Sequence, residues 1–138
     1  MNIGFLGCGN IAQAMIVGLL NSGLNPASIT VLTRNQKKKN FYKKNSIKML
    51  AVSKANSAKF DFIFLCVKPK DVKNAIEDSR IYWENTTLVS VVAGISSLKL
   101  KLFTNSEKVI RIMPTTSAEF GKSITAIFMA EEQKKQTK

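Results

Sequence analysis

Apolar residues in this chain fall into short clusters with two kinds of spacing. Asn2-Ile3-Gly4-Phe5-Leu6 is a brief apolar stretch that runs straight into Gly7-Cys8-Gly9. Beyond the glycines, Ile11, Ala12, Met15, Ile16, Leu19 and Leu20 recur at helical spacing. Asn10 is the expected N-cap of that helix, and Gly23 the residue just past its end. A turn at Asn25-Pro26 leads into Ile29-Thr30-Val31-Leu32-Thr33, a second strand. The glycines therefore lie at a strand-to-helix junction inside a βαβ unit of about thirty residues.

The alternation continues along the chain. Residues 34–44 are polar and basic with Phe41 as the main apolar anchor, which predicts a short second helix. A weak third strand is expected over 47–52. Residues 61–67 form the strongest strand signal, a continuous apolar run of the kind buried on both faces in the middle of a parallel sheet. Lys68-Pro69 ends it, and Asp71 is placed to cap a helix running to about Asp78. Further strands are predicted over 87–92 and 109–112, with a short helix capped by Ser97 between them. A last strand, 123–129, suits an antiparallel sheet edge. From 130 to 138 the chain is polar and rich in lysine, as expected of a tail.

At 138 residues with 45% hydrophobic content, the chain can fill one core. No apolar run approaches the eighteen or so residues of a membrane-spanning helix, and the N-terminus lacks the basic-then-apolar order of a secretory signal. Cys8 and Cys66 sit in apolar surroundings and read as reduced thiols, which suits a cytoplasmic location. Without histidine, imidazole-based metal sites and Ser-His-Asp chemistry are excluded, and no metal site is expected. The net charge of +12 invites a phosphate-bearing partner, although lysine excess is also compositional. No Asp or Glu occurs before Asp61. A nucleic-acid partner is disfavoured, since no arginine-rich recognition helix or aromatic stacking platform is visible.

Gly7-x-Gly9-x-x-Ala12 has the form of the dinucleotide fingerprint. Gly7 permits the tight turn, Gly9 lets a pyrophosphate approach the backbone, and Ala12 lets the helix pack closely on the sheet. The first-turn residues Asn10, Ile11 and Ala12 would offer N–H groups and the positive end of the helix dipole to phosphate. The expected fold class is therefore α/β, a Rossmann-like doubly wound and mostly parallel sheet, over residues 1–129. A carboxylate at the end of the second strand would select NAD. Thr33-Arg34-Asn35 stands there instead, and its guanidinium and hydrogen-bond donors favour NADP(H), with NAD(H) as second choice.

Four segments resemble the pyrroline-5-carboxylate reductases. They are Gly4-Phe5-Leu6-Gly7-Cys8-Gly9-Asn10-Ile11-Ala12, Phe64-Leu65-Cys66-Val67-Lys68-Pro69, Val89-Ser90-Val91-Val92-Ala93-Gly94-Ile95 and Arg111-Ile112-Met113-Pro114. The resemblance implies NADPH- or NADH-dependent reduction of 1-pyrroline-5-carboxylate, a small imine carboxylate, to proline. It places Asn56 near the adenosine side, and Cys66, Val67, Lys68, Pro69, Ala93 and Gly94 around the nicotinamide. Met113, Pro114 and Thr115 then face the substrate. Lys68 is the only charged side chain in those nicotinamide loops and reads as a solvated charge rather than a proton donor. Two departures stand out. Thr115 and Ser117 replace the asparagine and last proline of the family's usual Met-Pro-Asn-Thr-Pro. The all-helical C-terminal domain, through which the family forms homo-oligomers, lies outside these 138 residues. The expectation is a truncated form or fragment, weak or inactive alone; the alternative is an NADP-binding module with no activity of its own.

Overall fold

The computed structural model describes residues 1–34 and 39–113. Among the described residues, six strands build the sheet: β1 (Ile3–Leu6), β2 (Ile29–Thr33), β3 (Lys48–Ala51), β4 (Phe62–Leu65), β5 (Thr87–Ser90) and β6 (Val109–Arg111). Their spatial order is β3-β2-β1-β4-β5-β6, and every pairing among the described residues is parallel. The chain starts in the middle, winds outward through β2 and β3, then crosses back to lay β4 beside β1. The doubly wound α/β class predicted from the sequence is the class observed. Residues 123–129, the expected antiparallel edge strand, lie outside the described residues, as does the 130–138 tail.

Parallel strands need both faces covered, and alternate side chains divide accordingly. Ile3, Phe5, Val31, Phe64 and Val89 join Met15, Ile16 and Leu19 of helix α1 (Asn10–Asn21) and Tyr42 of α2 (Lys39–Lys44). Phe5 and Phe64, neighbours in register, stack at 4.9 Å between ring centroids, worth about 0.5–1.5 kcal/mol beyond their area. On the other face, Leu6, Leu32, Ile63, Leu65 and Leu88 pack against Ala75 and Ile76 of α3 (Val72–Ser79) and Leu100 of α4 (Ser97–Thr104). Each such aliphatic side chain contributes about 1.5–3 kcal/mol by leaving water.

Local chemistry shifts several predicted boundaries. The N-cap of α1 is Gly9, not Asn10, and no side chain caps it. Gly23, at φ +99°, follows the helix end as expected. Ser96 rather than Ser97 caps α4, its Oγ accepting from the Lys99 N–H at 3.1 Å. Asp71 is the N-cap of α3 but makes no side-chain cap bond; a 3-10 turn over Pro69–Asp71 leads in instead. In α2 the fully buried anchor is Tyr42, whereas Phe41 is only half-buried. A phenol can enter the core where its hydroxyl finds a partner. Here it donates to the Cys8 carbonyl at 3.0 Å.

Candidate functional site

The sheet order reverses between β1 and β4, so the loops leaving their carboxyl ends diverge to opposite faces and open a crevice between them. That crevice has a volume of about 430 Å³. Its walls are the Gly7-Cys8-Gly9 turn, Leu32, Thr33 and Arg34 after β2, and Cys66, Val67 and Lys68 after β4. Leu6, Val52, Lys70, Asp71 and Ala75 also line it.

The two loop glycines answer to different constraints. Gly7 has φ +116°, and a Cβ there would sit 2.8 Å from the Cys66 carbonyl oxygen. The turn itself requires it. Gly9 has φ −71°, which any residue adopts, and among the described residues a Cβ there would meet no atom within 4 Å beyond its chain neighbours. No feature of the described fold explains why position 9 lacks a side chain. The space beside it belongs to the crevice.

Polar groups around the crevice are held from below. The Gly7 N–H donates to the Leu32 carbonyl at 2.9 Å, and the Cys66 N–H to the Leu6 carbonyl at 2.9 Å, so both loops leave the sheet as continuations of its ladder. Thr33 is buried, and its hydroxyl donates to Cys8 Sγ at 3.2 Å. Tyr42 holds the Cys8 carbonyl from the far side of the turn. Burial raises the pKa of the Cys66 thiol well above the usual thiol range. Burial also raises that of the Tyr42 phenol, with smaller contributions from Cys8 and Cys66. Both groups stay protonated and neutral at physiological pH. Neither is an activated nucleophile.

Above this neutral floor the charges are mostly positive. Arg34, Lys68 and Lys70 line the crevice against one carboxylate, Asp71. The start of α1, whose N-cap Gly9 makes no side-chain cap bond, adds first-turn N–H groups at the positive end of the helix dipole. Such an arrangement can bind an elongated anion along the strand ends. Among the described residues, no group of His, Cys, Asp or Glu could hold a metal ion.

Of the residues singled out from sequence, the crevice brings together Gly7, Gly9, Thr33, Arg34, Cys66, Val67 and Lys68. Asn10, Ile11 and Ala12 form the first turn of α1 behind the glycines. Ala93 and Gly94 follow β5 as exposed loop residues, outside the cavity lining, and Met113 is exposed just past β6. Asn35, Pro114 and Thr115 lie outside the described residues. Asn56 is not part of the crevice lining. The 3-10 turn Val52–Ser57 descends from the carboxyl edge, and Asn56 lines a separate depression with Asn2 and Asp61, which precede β1 and β4. Val52, at the start of that turn, is the residue that reaches the crevice. Sequence reasoning missed Val52, Lys70 and Ala75. The helical spacing of Val72, Ala75 and Ile76 was the available signal for which face of α3 turns inward.

The family described as "NADP oxidoreductase coenzyme F420-dependent" matches residues 2–94, the stretch that holds both crevice loops. The chain belongs to that family. It is also 34% identical over 137 residues to pyrroline-5-carboxylate reductase 2 of Bacillus subtilis, covering 96% of this chain and 49% of that protein. Among solved structures, a pyrroline-5-carboxylate reductase from Coxiella burnetii superposes with a TM-score of 0.72 at 26% identity, over 83% of this chain and 44% of that one. The Plasmodium falciparum pyrroline carboxylate reductase, solved with NADP bound, shares the fold with a TM-score of 0.71 at 20% identity, over 84% of this chain and 43% of that one. The chain spans about half the length of the relatives it matches. Among the described residues, no helix is long and apolar enough to cross a membrane.

Proposed function

We propose that residues 1–129 are the dinucleotide-binding domain of a cytoplasmic pyrroline-5-carboxylate reductase. This domain would hold NADPH, in preference to NADH, for reduction of the C=N bond of 1-pyrroline-5-carboxylate to L-proline. The observation that carries the reading is Gly9. Its missing side chain is unexplained by the packing of the described residues and leaves room where a pyrophosphate would meet the backbone. The kinship with pyrroline-5-carboxylate reductases supplies the reaction.

In this reading Gly7, Gly9 and the N–H groups of Asn10, Ile11 and Ala12 receive the pyrophosphate. Arg34, with Asn35 beside it, binds the 2′-phosphate over the floor that Thr33 provides. Cys66, Val67, Lys68 and Pro69 flank the nicotinamide, with Ala93 and Gly94 on the neighbouring strand end. Met113, Pro114 and Thr115 stand on the substrate side. When bound, the cofactor supplies the hydride. The chain's own contribution is to orient it, because positioning dominates a hydride transfer of this kind. The neutral thiol of Cys66 suits that role: it adds no charge beside a nicotinamide that becomes cationic on oxidation.

Cofactor choice gives the test. Losing a charge-assisted phosphate contact costs about 1.5–3 kcal/mol. Arg34→Ala is therefore expected to weaken NADPH binding by that amount in a fluorescence titration and to leave NADH binding nearly unchanged. Equal affinity of the wild type for the two cofactors, or equal losses for both in the variant, would refute the assignment.

A further inference from the structure

Arg34 does not point freely into solvent. Its Nη2 is paired with Asp78 Oδ2, a residue on the last turn of α3. Asp78 is not part of the crevice lining, whereas Arg34 is. The guanidinium thus reaches from the end of β2, beyond the crevice wall, to a carboxylate outside it. Both side chains are about half exposed, at 51% and 55%. An ion pair at such exposure is weak and sensitive to salt. Asp78 engages Arg34 through Nη2 alone, and a bidentate phosphate contact would need that group together with a neighbouring guanidinium N–H.

Resting on the reading of Arg34 as the 2′-phosphate ligand, we infer that Asp78 is a specificity-setting residue that competes with the cofactor for Arg34. The carboxylate parks the guanidinium while the crevice is empty, and NADPH must displace it. NADH has no 2′-phosphate and gains nothing from the exchange. Asp78 therefore narrows the preference for NADPH over NADH instead of widening it. The size follows from population arithmetic: apparent affinity falls by the fraction of Arg34 that is free. For an exposed pair of ordinary strength, removing the competitor should tighten NADPH binding about two- to sixfold.

The experiment titrates the full 138-residue chain with NADPH and NADH, as wild type, Asp78→Asn, Arg34→Ala and the double variant, at low salt and at physiological salt. Circular dichroism verifies that each variant is folded. Asp78→Asn is expected to bind NADPH about two- to sixfold more tightly, with NADH unchanged. The gain should shrink at higher salt, and most of it should disappear in the Arg34→Ala background. If Arg34→Ala selectively loses NADPH but Asp78→Asn leaves its affinity unchanged or lower, the competition is refuted and the phosphate role of Arg34 stands. A gain that persists in full without Arg34 also refutes it. If Arg34→Ala shows no selective loss, the phosphate role itself fails and the competition falls with it.

Discussion

Two depressions of equal volume, about 430 Å³ each, lie at opposite ends of the same sheet. The one at the carboxyl ends of the strands is lined by two glycines, three cations and one carboxylate. The one at the amino ends is lined by Asn2, Asn56, Asn85, Thr86 and Tyr82, with Lys59 and Asp61 balancing in charge. Size does not distinguish them. Direction does: in a parallel α/β sheet every helix returns antiparallel to the strands, so helix N-termini gather at the carboxyl edge and C-termini at the amino edge. Only the carboxyl edge offers backbone N–H groups and a favourable dipole to an anion. At the amino edge the polar groups serve the fold. Asp61 accepts from the Asn2 N–H at 2.7 Å, and Thr86 donates to the Phe60 carbonyl at 2.7 Å.

The sharpest way to break this contrast is at Gly9. Gly9→Val is expected to lower dinucleotide affinity by at least about a hundredfold, a penalty of about 2.7 kcal/mol or more. Its melting temperature should stay within a few degrees of wild type, because a side chain there meets open space. Gly7→Val should instead fail to fold stably, since its backbone is left-handed and the Cys66 carbonyl is in the way. Differential scanning calorimetry with cofactor titration separates the two. A Gly9→Val protein that binds NADPH normally would show that the crevice is only a turn.

Tyr42→Phe is expected to cost about 1–3 kcal/mol of stability by leaving the buried Cys8 carbonyl without its partner. Cofactor affinity should fall a few-fold, because the turn loses its support from below. Chemical denaturation and titration of one protein sample measure both. Loss of stability with unchanged affinity would place Tyr42 in the core and nowhere else.

Alkaline pH probes the same floor. Cys66 titrates ordinarily near 9.0, and burial raises its pKa in the folded chain. Above pH 9 the unfolded chain releases that proton while the folded chain keeps it. Stability then falls as pH rises, by up to about 1.4 kcal/mol per pH unit for this group. Tyr42 adds a similar slope above its ordinary value of 10.0. Thermal melts from pH 8 to 10.5 should show the decline, and Cys66→Ala should flatten its first part. An equally steep decline in that variant would rule the thiol out as its source.

The smallest expected effect lies at the opposite edge. Asn56→Ala should change NADPH affinity by less than about twofold, within the usual range for a surface substitution distant from a ligand. A loss as large as that of Arg34→Ala would overturn the assignment of the two edges.

Much of this was legible along the chain. β2 is observed over Ile29–Thr33, as its apolar run predicted, and β1, β4 and β5 lie within their predicted stretches. Buried parallel strands must be apolar on both faces, so they announce themselves without reference to neighbours. The Gly7-x-Gly9 turn was equally legible, because strand, turn and helix are contiguous. Other features depend on residues far apart in sequence. Tyr42 is core and Phe41 only half-buried because the Cys8 carbonyl, thirty-four positions earlier, offers the phenol a partner. Asn56 borders the second depression beside Asn2 and Asp61, and sequence proximity to β4 does not say which depression a turn will line. Arg34 meets Asp78 across 44 positions of chain, and no local pattern marks that meeting. Short-range periodicity and side-chain type specify the order of elements, the fold class and the chemistry available at each strand end. Which strand ends lie side by side, which polar groups find partners and where Arg34 rests became visible in the folded chain alone. Those contacts arise when distant segments pack together.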